Sequence, residues 1–216
     1  MESFRLDGRR ALVTGGSKGI GVGLARGLAE AGADIVLMAR NEKELEQTRD
    51  VLQETGRSIG IASSDLSRPE EIPQVYADVE AQHGPVDILV NNAGIVIVKP
   101  FVEMTEVDWD LQIGVNLKAA FFATQEAAKA MIRDKLQGRI VNVASTSGFT
   151  ASTIPSVPYD ISKAGVRMLT MSSAVQLAKH GINVNAIAPG TIDTELSRGA
   201  VAVSYTQLTL PTSDLV

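Results

Sequence analysis

The chain has no cysteine. That excludes disulfides, thiolate nucleophiles and cysteine metal sites, and it fits a reducing compartment. Histidine is nearly absent: only His83 and His180 occur, each directly before a glycine at the end of a helical pattern. A cation there complements the helix dipole and the glycine supplies the C-cap, so both are read as structural. No His/Asp/Glu group has metal-ligand spacing, and no metal is expected. Long apolar runs are also missing. Stretches such as Ile35–Ala39 and Ile95–Val98 are far too short to cross a bilayer, and the N-terminal MESFRLDGRRALVTGG has no run of signal-peptide length. The net charge is −5, with no excess of Lys and Arg for a nucleic-acid surface. The expectation is a cytoplasmic protein with neither membrane nor nucleic acid as partner.

What is present is an ordinary globular composition: 216 residues, 44% hydrophobic and 21% charged, enough for one domain. Short β-branched runs alternate with longer amphipathic stretches. Strands are predicted at Ala11–Val13, Ile35–Met38, Ser58–Ser63, Val86–Val90, Arg139–Ala144 and Ile182–Ala188. Helices are predicted at Ile20–Ala31, Glu42–Thr55, Pro69–Gln82, Asp108–Asp134 (with Thr105 as a cap) and Tyr159–Lys179. Strands alternating with helices imply βαβ units, hence a Rossmann-type α/β fold: a doubly wound parallel sheet with helices on both faces.

The first strand runs into Thr14-Gly15-Gly16-Ser17-Lys18-Gly19-Ile20-Gly21, and a helix follows. Glycines serve where backbone turns tightly and approaches a pyrophosphate, and the helix N-terminus offers free N–H groups and a positive dipole. A structural β–α turn is the competing reading. The second strand ends Met38-Ala39-Arg40 with no carboxylate. An acid there would hold the ribose hydroxyls of NAD, whereas Arg accommodates the 2′-phosphate of NADP. Arg40 and Lys18 therefore favour NADP(H), with NAD(H) as the alternative and a surface pair of Arg40 with Glu42 or Glu44 as the plain reading.

Tyr159 and Lys163 stand at i and i+4, on one face of a helix. A Tyr pKa near ~10 is too high for easy proton exchange at neutral pH. A Lys⁺ at ~4 Å, with an effective dielectric of ~20, favours the phenolate by about 4 kcal/mol, a lowering of at most about three units.

Together these motifs resemble the short-chain dehydrogenase/reductase family, in its short single-domain subclass. The likeness rests on the loop Thr14-Gly15-x-x-x-Gly19-x-Gly21, Asn91-Asn92-Ala93-Gly94, Val115-Asn116-Leu117, Ile140-Val141-Asn142-Val143-Ala144-Ser145, the Tyr159/Lys163 pair and Pro189-Gly190. The resemblance implies a hydride transfer between NADP(H) and a small-molecule ketone or secondary alcohol. It makes Tyr159 the acid/base, Ser145 the group that polarises the carbonyl, Lys163 the partner of Tyr159 and of the nicotinamide ribose, and Asn116 the anchor of a water serving Lys163. Ser147 competes with Ser145, and back-bonding within its own helix competes for Asn116. Cofactor contacts are implied for Gly15, Ser17, Lys18, Gly19, Ile20, Gly21 and Arg40, and for Asp65, Leu66, Asn91, Ala93 and Gly94 on the adenosine side. Tyr159, Lys163, Pro189, Gly190, Ile192 and Thr194 are implied at the nicotinamide end. The family also implies a homo-dimer or homo-tetramer, and Ala119, Ala120, Phe122, Met168 and Met171 are small or apolar residues beyond what one sheet face needs.

The pattern departs from the family after about Ala202. Residues 1–202 read as the catalytic domain, with six strands and the family's seventh missing. Residues 203–216, Val203 to Val216, resemble a translated adapter rather than native sequence. A catalytically silent nucleotide-binding fragment, lacking its substrate segment, is therefore the alternative function. A sugar-nucleotide epimerase or dehydratase shares the Tyr/Lys pair but needs a second lobe.

Overall fold

The structure is a computed structural model that describes residues 4–152 and 154–199; the tail at 203–216 lies outside them. Six parallel strands form one sheet: β1 (Arg10–Thr14), β2 (Asp34–Ala39), β3 (Ile59–Ser63), β4 (Ile88–Asn91), β5 (Arg139–Val143) and β6 (Asn183–Ile187), in the order β3-β2-β1-β4-β5-β6. The helices are α1 (Gly19–Glu30), α2 (Glu42–Leu52), α3 (Ile72–His83), α4 (Glu106–Ile113), α5 (Ala119–Arg133) and α6 (Val157–Leu177). The Rossmann-type α/β reading holds.

Side chains alternate across the pleat. Ala11, Val13, Ile35 and Leu37 point to one face and pack with Ala25 and Ala29 of α1 and Leu45 and Leu52 of α2. Leu12, Val36, Leu89 and Ile140 point to the other, against Tyr76 and Val79 of α3 and Ala123, Ala127 and Met131 of α5. The centre strands are buried on both faces, which is why they read as continuous apolar runs. The sheet thins toward β6, where only Val184 is buried and which forms an edge among the described residues.

Several boundaries differ from expectation. The predicted long helix is three pieces: α4 starts at Glu106 behind a Thr105/Asp108 capping box, a π-helical turn occupies Gly114–Lys118, and α5 follows. A π turn inserts one residue into the 3.6 period, which a periodicity reading does not register. Gln53–Thr55 and Pro69–Glu71 are tightened into 3₁₀ turns. His83 ends α3 before Gly84 at φ +85°, and His180 ends a 3₁₀ turn before Gly181 at φ +72°, the structural places expected. Ala119 and Ala120 belong to the core, and Phe122 packs against it, so the expected surplus narrows to Met168 and Met171, which are exposed. No helix among the described residues is long and apolar enough to cross a membrane.

Candidate active site

The strand order reverses between β1 and β4, and the chain segments leaving the C-terminal ends of β1, β4, β5 and β6 meet there. In open parallel sheets this is where a crevice forms.

The phosphate-loop candidate leaves β1. Gly15 takes φ +64°, and a Cβ on it would sit 2.9 Å from the Ala93 Cα; a side chain at Gly21 would fall on the Gly15 carbonyl oxygen. The loop can pass so close to the Asn91–Gly94 segment only with glycine there. Two residues not singled out from the sequence lock that contact. The Thr14 hydroxyl accepts from the Asn92 and Ala93 N–H groups at 3.0 and 3.1 Å, and the Asn92 amide donates to the Thr14 and Gly15 carbonyls at 3.0 Å each. Lys18 is the N-cap of α1 without a side-chain cap, and the first turn holds no acid. The free N–H groups there suit a phosphate. A groove of about 380 Å³ opens at this helix end between Gly19, Ile20 and the Ile192–Thr194 segment, and the Thr194 methyl lies over Gly19.

Arg40 stands exposed at the end of β2 and forms no ion pair among the described residues, so the surface pair with Glu42 or Glu44 is not found. Lys18 does pair, with Glu44 at 3.0 Å and Glu195 at 3.2 Å. Asp65 accepts from the Ser67 N–H at 3.0 Å, which holds its carboxyl below the usual range, with Arg40 and Arg68 adding to that. Leu66 is buried, and with Thr14, Asn91 and Ala93 it lines a water-sized cavity. Asn91 itself is turned into the core, donating to Thr124 at 2.9 Å and Asn142 at 2.8 Å.

Ser145, Tyr159 and Lys163 come together from β5 and α6. Ser145 is buried, accepts from the Ser147 N–H at 3.1 Å and lies close enough to Tyr159 to lower its pKa. This favours Ser145 over Ser147. Lys163 is 4% exposed and donates to the Val143 carbonyl at 2.8 Å; its ammonium lies 5.7 Å from the Tyr159 ring centre. Asn116, in the π turn, does not back-bond: its amide pairs with the Ile95 backbone at 2.8 and 2.9 Å and donates to Ser162 at 3.1 Å. Its oxygen and the Lys163 ammonium both face Gly94, where a Cβ would lie 3.5 Å from each. Pro189 joins the group by accepting from the Thr146 N–H at 3.1 Å; Gly190 adjoins open space.

The electrostatics reverse one expectation. Burial pushes the Tyr159 phenol above its usual value, the Ser145 side chain pulls it back, and the Asp160 carboxylate adds to the rise. Burial also lowers Lys163, to about 8. Desolvation dominates the Tyr159 shift, while the Lys163 ammonium is committed to the Val143 carbonyl and lies over the ring, 5.7 Å from its centre.

The family model described as short chain dehydrogenase matches residues 9–202. The chain is 41% identical over 195 residues to a 2-dehydro-3-deoxy-D-gluconate 5-dehydrogenase of Escherichia coli, covering 90% of this chain and 76% of that one. To a gluconate 5-dehydrogenase of Gluconobacter oxydans it is 38% identical over 200 residues, covering 92% and 77%. The crystal structure of a gluconate 5-dehydrogenase from Burkholderia cenocepacia in complex with NADP and tartrate superposes with TM-score 0.86 at 40% identity, covering 93% of this chain and 78% of that one. A glycine-built loop at the sheet's reversal, a Ser–Tyr–Lys group beside it and a match over nearly the whole described chain have one reading: the protein is an oxidoreductase belonging to the short-chain dehydrogenase family.

Proposed function

We propose that this protein interconverts a ketone and a secondary alcohol with NADP(H), and that Tyr159 exchanges the proton with the substrate oxygen. One observation carries the reading: the Ser145 hydroxyl, the Tyr159 phenol and the buried Lys163 ammonium stand together at the mouth of the crevice. The loop Gly15–Gly21, with Ser17, Lys18, Gly19 and Ile20, would hold the pyrophosphate, and Arg40 with Lys18 the 2′-phosphate. Asp65, Leu66, Asn91, Ala93 and Gly94 would flank the adenosine. Lys163 and Tyr159 would meet the nicotinamide ribose, and Pro189, Gly190, Ile192 and Thr194 the ring. The absence of an acid at the end of β2 and the NADP bound by the similar Burkholderia cenocepacia gluconate 5-dehydrogenase support NADP(H) over NAD(H).

Bound NADPH supplies the hydride; the protein's own groups handle the oxygen. Burial keeps the Tyr159 phenol protonated at neutral pH, ready to donate to the carbonyl oxygen as negative charge develops. The Ser145 hydroxyl donates to the same oxygen and polarises the carbonyl. Lys163, charged below about pH 8, favours the phenolate left behind. Asn116, sharing the Gly94 edge with Lys163, holds a water that returns a proton to it. The substrate is a polyhydroxylated acid or polyol, the class for which the similar dehydrogenases are named. A second copy covers the outward faces of α5 and α6, where Phe121, Met168, Met171 and Val175 are exposed.

The test is single-turnover hydride transfer from NADPH to a reactive diketone. Tyr159→Phe keeps the ring and should slow it by ~10²–10⁴, the worth of a positioned proton donor. Ser145→Ala should also slow it, and Ser147→Ala should do much less. A Tyr159→Phe protein that keeps more than about a tenth of the parental rate overturns the mechanism.

A further inference from the structure

The loop cation expected to serve the cofactor is already engaged. The Glu44 carboxylate, in the first turn of α2, lies 3.0 Å from the Lys18 ammonium and accepts from the Ser17 hydroxyl at 3.3 Å. It is anchored from the other side by the Asn41 amide at 2.7 Å, and Thr48, one turn further along α2, donates to the Ser17 carbonyl at 3.2 Å. The Glu44 side chain is 27% exposed, against 77% for Glu195, the other acid on Lys18.

Two acceptors on one ammonium lie within about 6 Å of each other. Any phosphate that Lys18 binds is therefore placed beside the Glu44 carboxylate, and like charges at that distance repel. Arg40 forms no direct ion pair among the described residues, although the Asp65 carboxylate feels its charge.

We propose that Glu44 is a cofactor-specificity residue: it competes with the adenosine 2′-phosphate for Lys18 and so holds back NADP(H) relative to NAD(H). This rests on the reading that the loop takes a nicotinamide dinucleotide. The pyrophosphate common to both cofactors meets the helix N–H groups, whereas only the 2′-phosphate needs Lys18 to leave Glu44. Lys18 is held above its ordinary pKa by Glu44 first and Glu195 second, as a committed cation should be.

The experiment is fluorescence titration of the cofactor-free protein with NADPH and NADH, without turnover. Glu44→Gln keeps the shape and the bond accepted from Asn41, reverses the Ser17 contact so that the amide donates to the hydroxyl, and removes the charge. It should tighten NADPH by about three- to tenfold and change NADH by less than about twofold, the scale of one partly screened charge. Glu195→Gln should give a smaller selective gain. An equal change for both cofactors, or a selective loss of NADPH, overturns the proposal and makes Glu44 a mere support for the loop. A second measurement leaves Glu44 in place: Lys18→Gln should lower the NADPH-over-NADH preference less than Arg40→Ala does, because Lys18 is directly ion-paired and Arg40 is not. The reverse order also overturns it. The cofactor reading fails separately, through a parent protein that prefers NADH and ignores Arg40→Ala. The Glu44→Gln effect is read from the ratio between parent and variant and survives that outcome, whereas the Lys18/Arg40 order is read in a parent that prefers NADPH.

Discussion

Lys163 shows what the candidate chemistry costs. Its ammonium is almost sealed from water, has one hydrogen bond, to the Val143 carbonyl, and is lowered from 10.5 to about 8. The unfolded chain holds this proton more tightly than the folded one. Below pH 8 the full penalty is present, and between about 8 and 10.5 the unfolded chain binds more protons, so stability rises with pH across that window. Two to three pKa units correspond to about 3 kcal/mol. Lys163→Met should thus unfold about 1–3 kcal/mol harder than the parent at pH 7, the lower figure allowing for the Val143 carbonyl left bare. The advantage should shrink as pH approaches 10, measured by urea denaturation across pH. A constant advantage would show that the buried charge is not its source. Tyr159, Lys163 and the loop glycines stand out in the sequence because their spacings are short and local, and Ser145 through the resemblance alone. Thr14, Asn92 and Glu44 do not: their partners lie 27 to 79 residues away, where only the fold brings them together. The direction of the Tyr159 shift was misread for the same reason, since spacing puts the lysine near but says nothing of burial.

At the scale of elements, the strands were legible because those at the centre are apolar on both faces, and the helices because their apolar residues recur at the helical period. What stayed hidden were departures from regularity: the π turn carrying Asn116, and the 3₁₀ ends of α2 and α3. The π turn turns Asn116 away from its own helix and toward Ile95 and Ser162. The strands also differ in support. β1 has ladders on both sides, whereas β6 pairs only with β5 and shows most of its residues to water among the described residues. Hydrogen exchange should therefore release the amides of Asn185 and Ile187 at least ~100-fold faster than those of Leu12 and Val13, reflecting local opening at the edge. Equal protection of the two strands would contradict β6 as an edge.

For the whole molecule, the outward faces of α5 and α6 carry the exposed apolar side chains on which the proposed pairing rests. Met168, Met171 and Val175 lie at helical spacing on α6, at 55%, 51% and 80% exposure, with Phe121 of α5 at 46%. A patch of this kind suits a contact surface, and two-fold pairing is the commonest way to cover one. Light scattering at micromolar concentration should give at least a dimer, and Met171→Glu together with Val175→Lys should shift it toward monomer without changing the monomer fold by circular dichroism. A monomeric parent would refute the pairing.

The strand order has a further consequence, in time. The central strand β1 lies between β2 and β4, so its ladders are complete only when residues 88–91 are available. The phosphate loop then has its floor, since Thr14 and Asn92 can meet. Ser145 and Lys163 belong to segments that follow much later in the chain. During synthesis from the N-terminus, the nucleotide cradle can therefore form while the proton-handling residues are still unmade. A nascent chain therefore holds all the strands of the cradle before the segments with Ser145 and Lys163 are made, and a cofactor able to bind at that stage would stabilise the unfinished sheet by mass action.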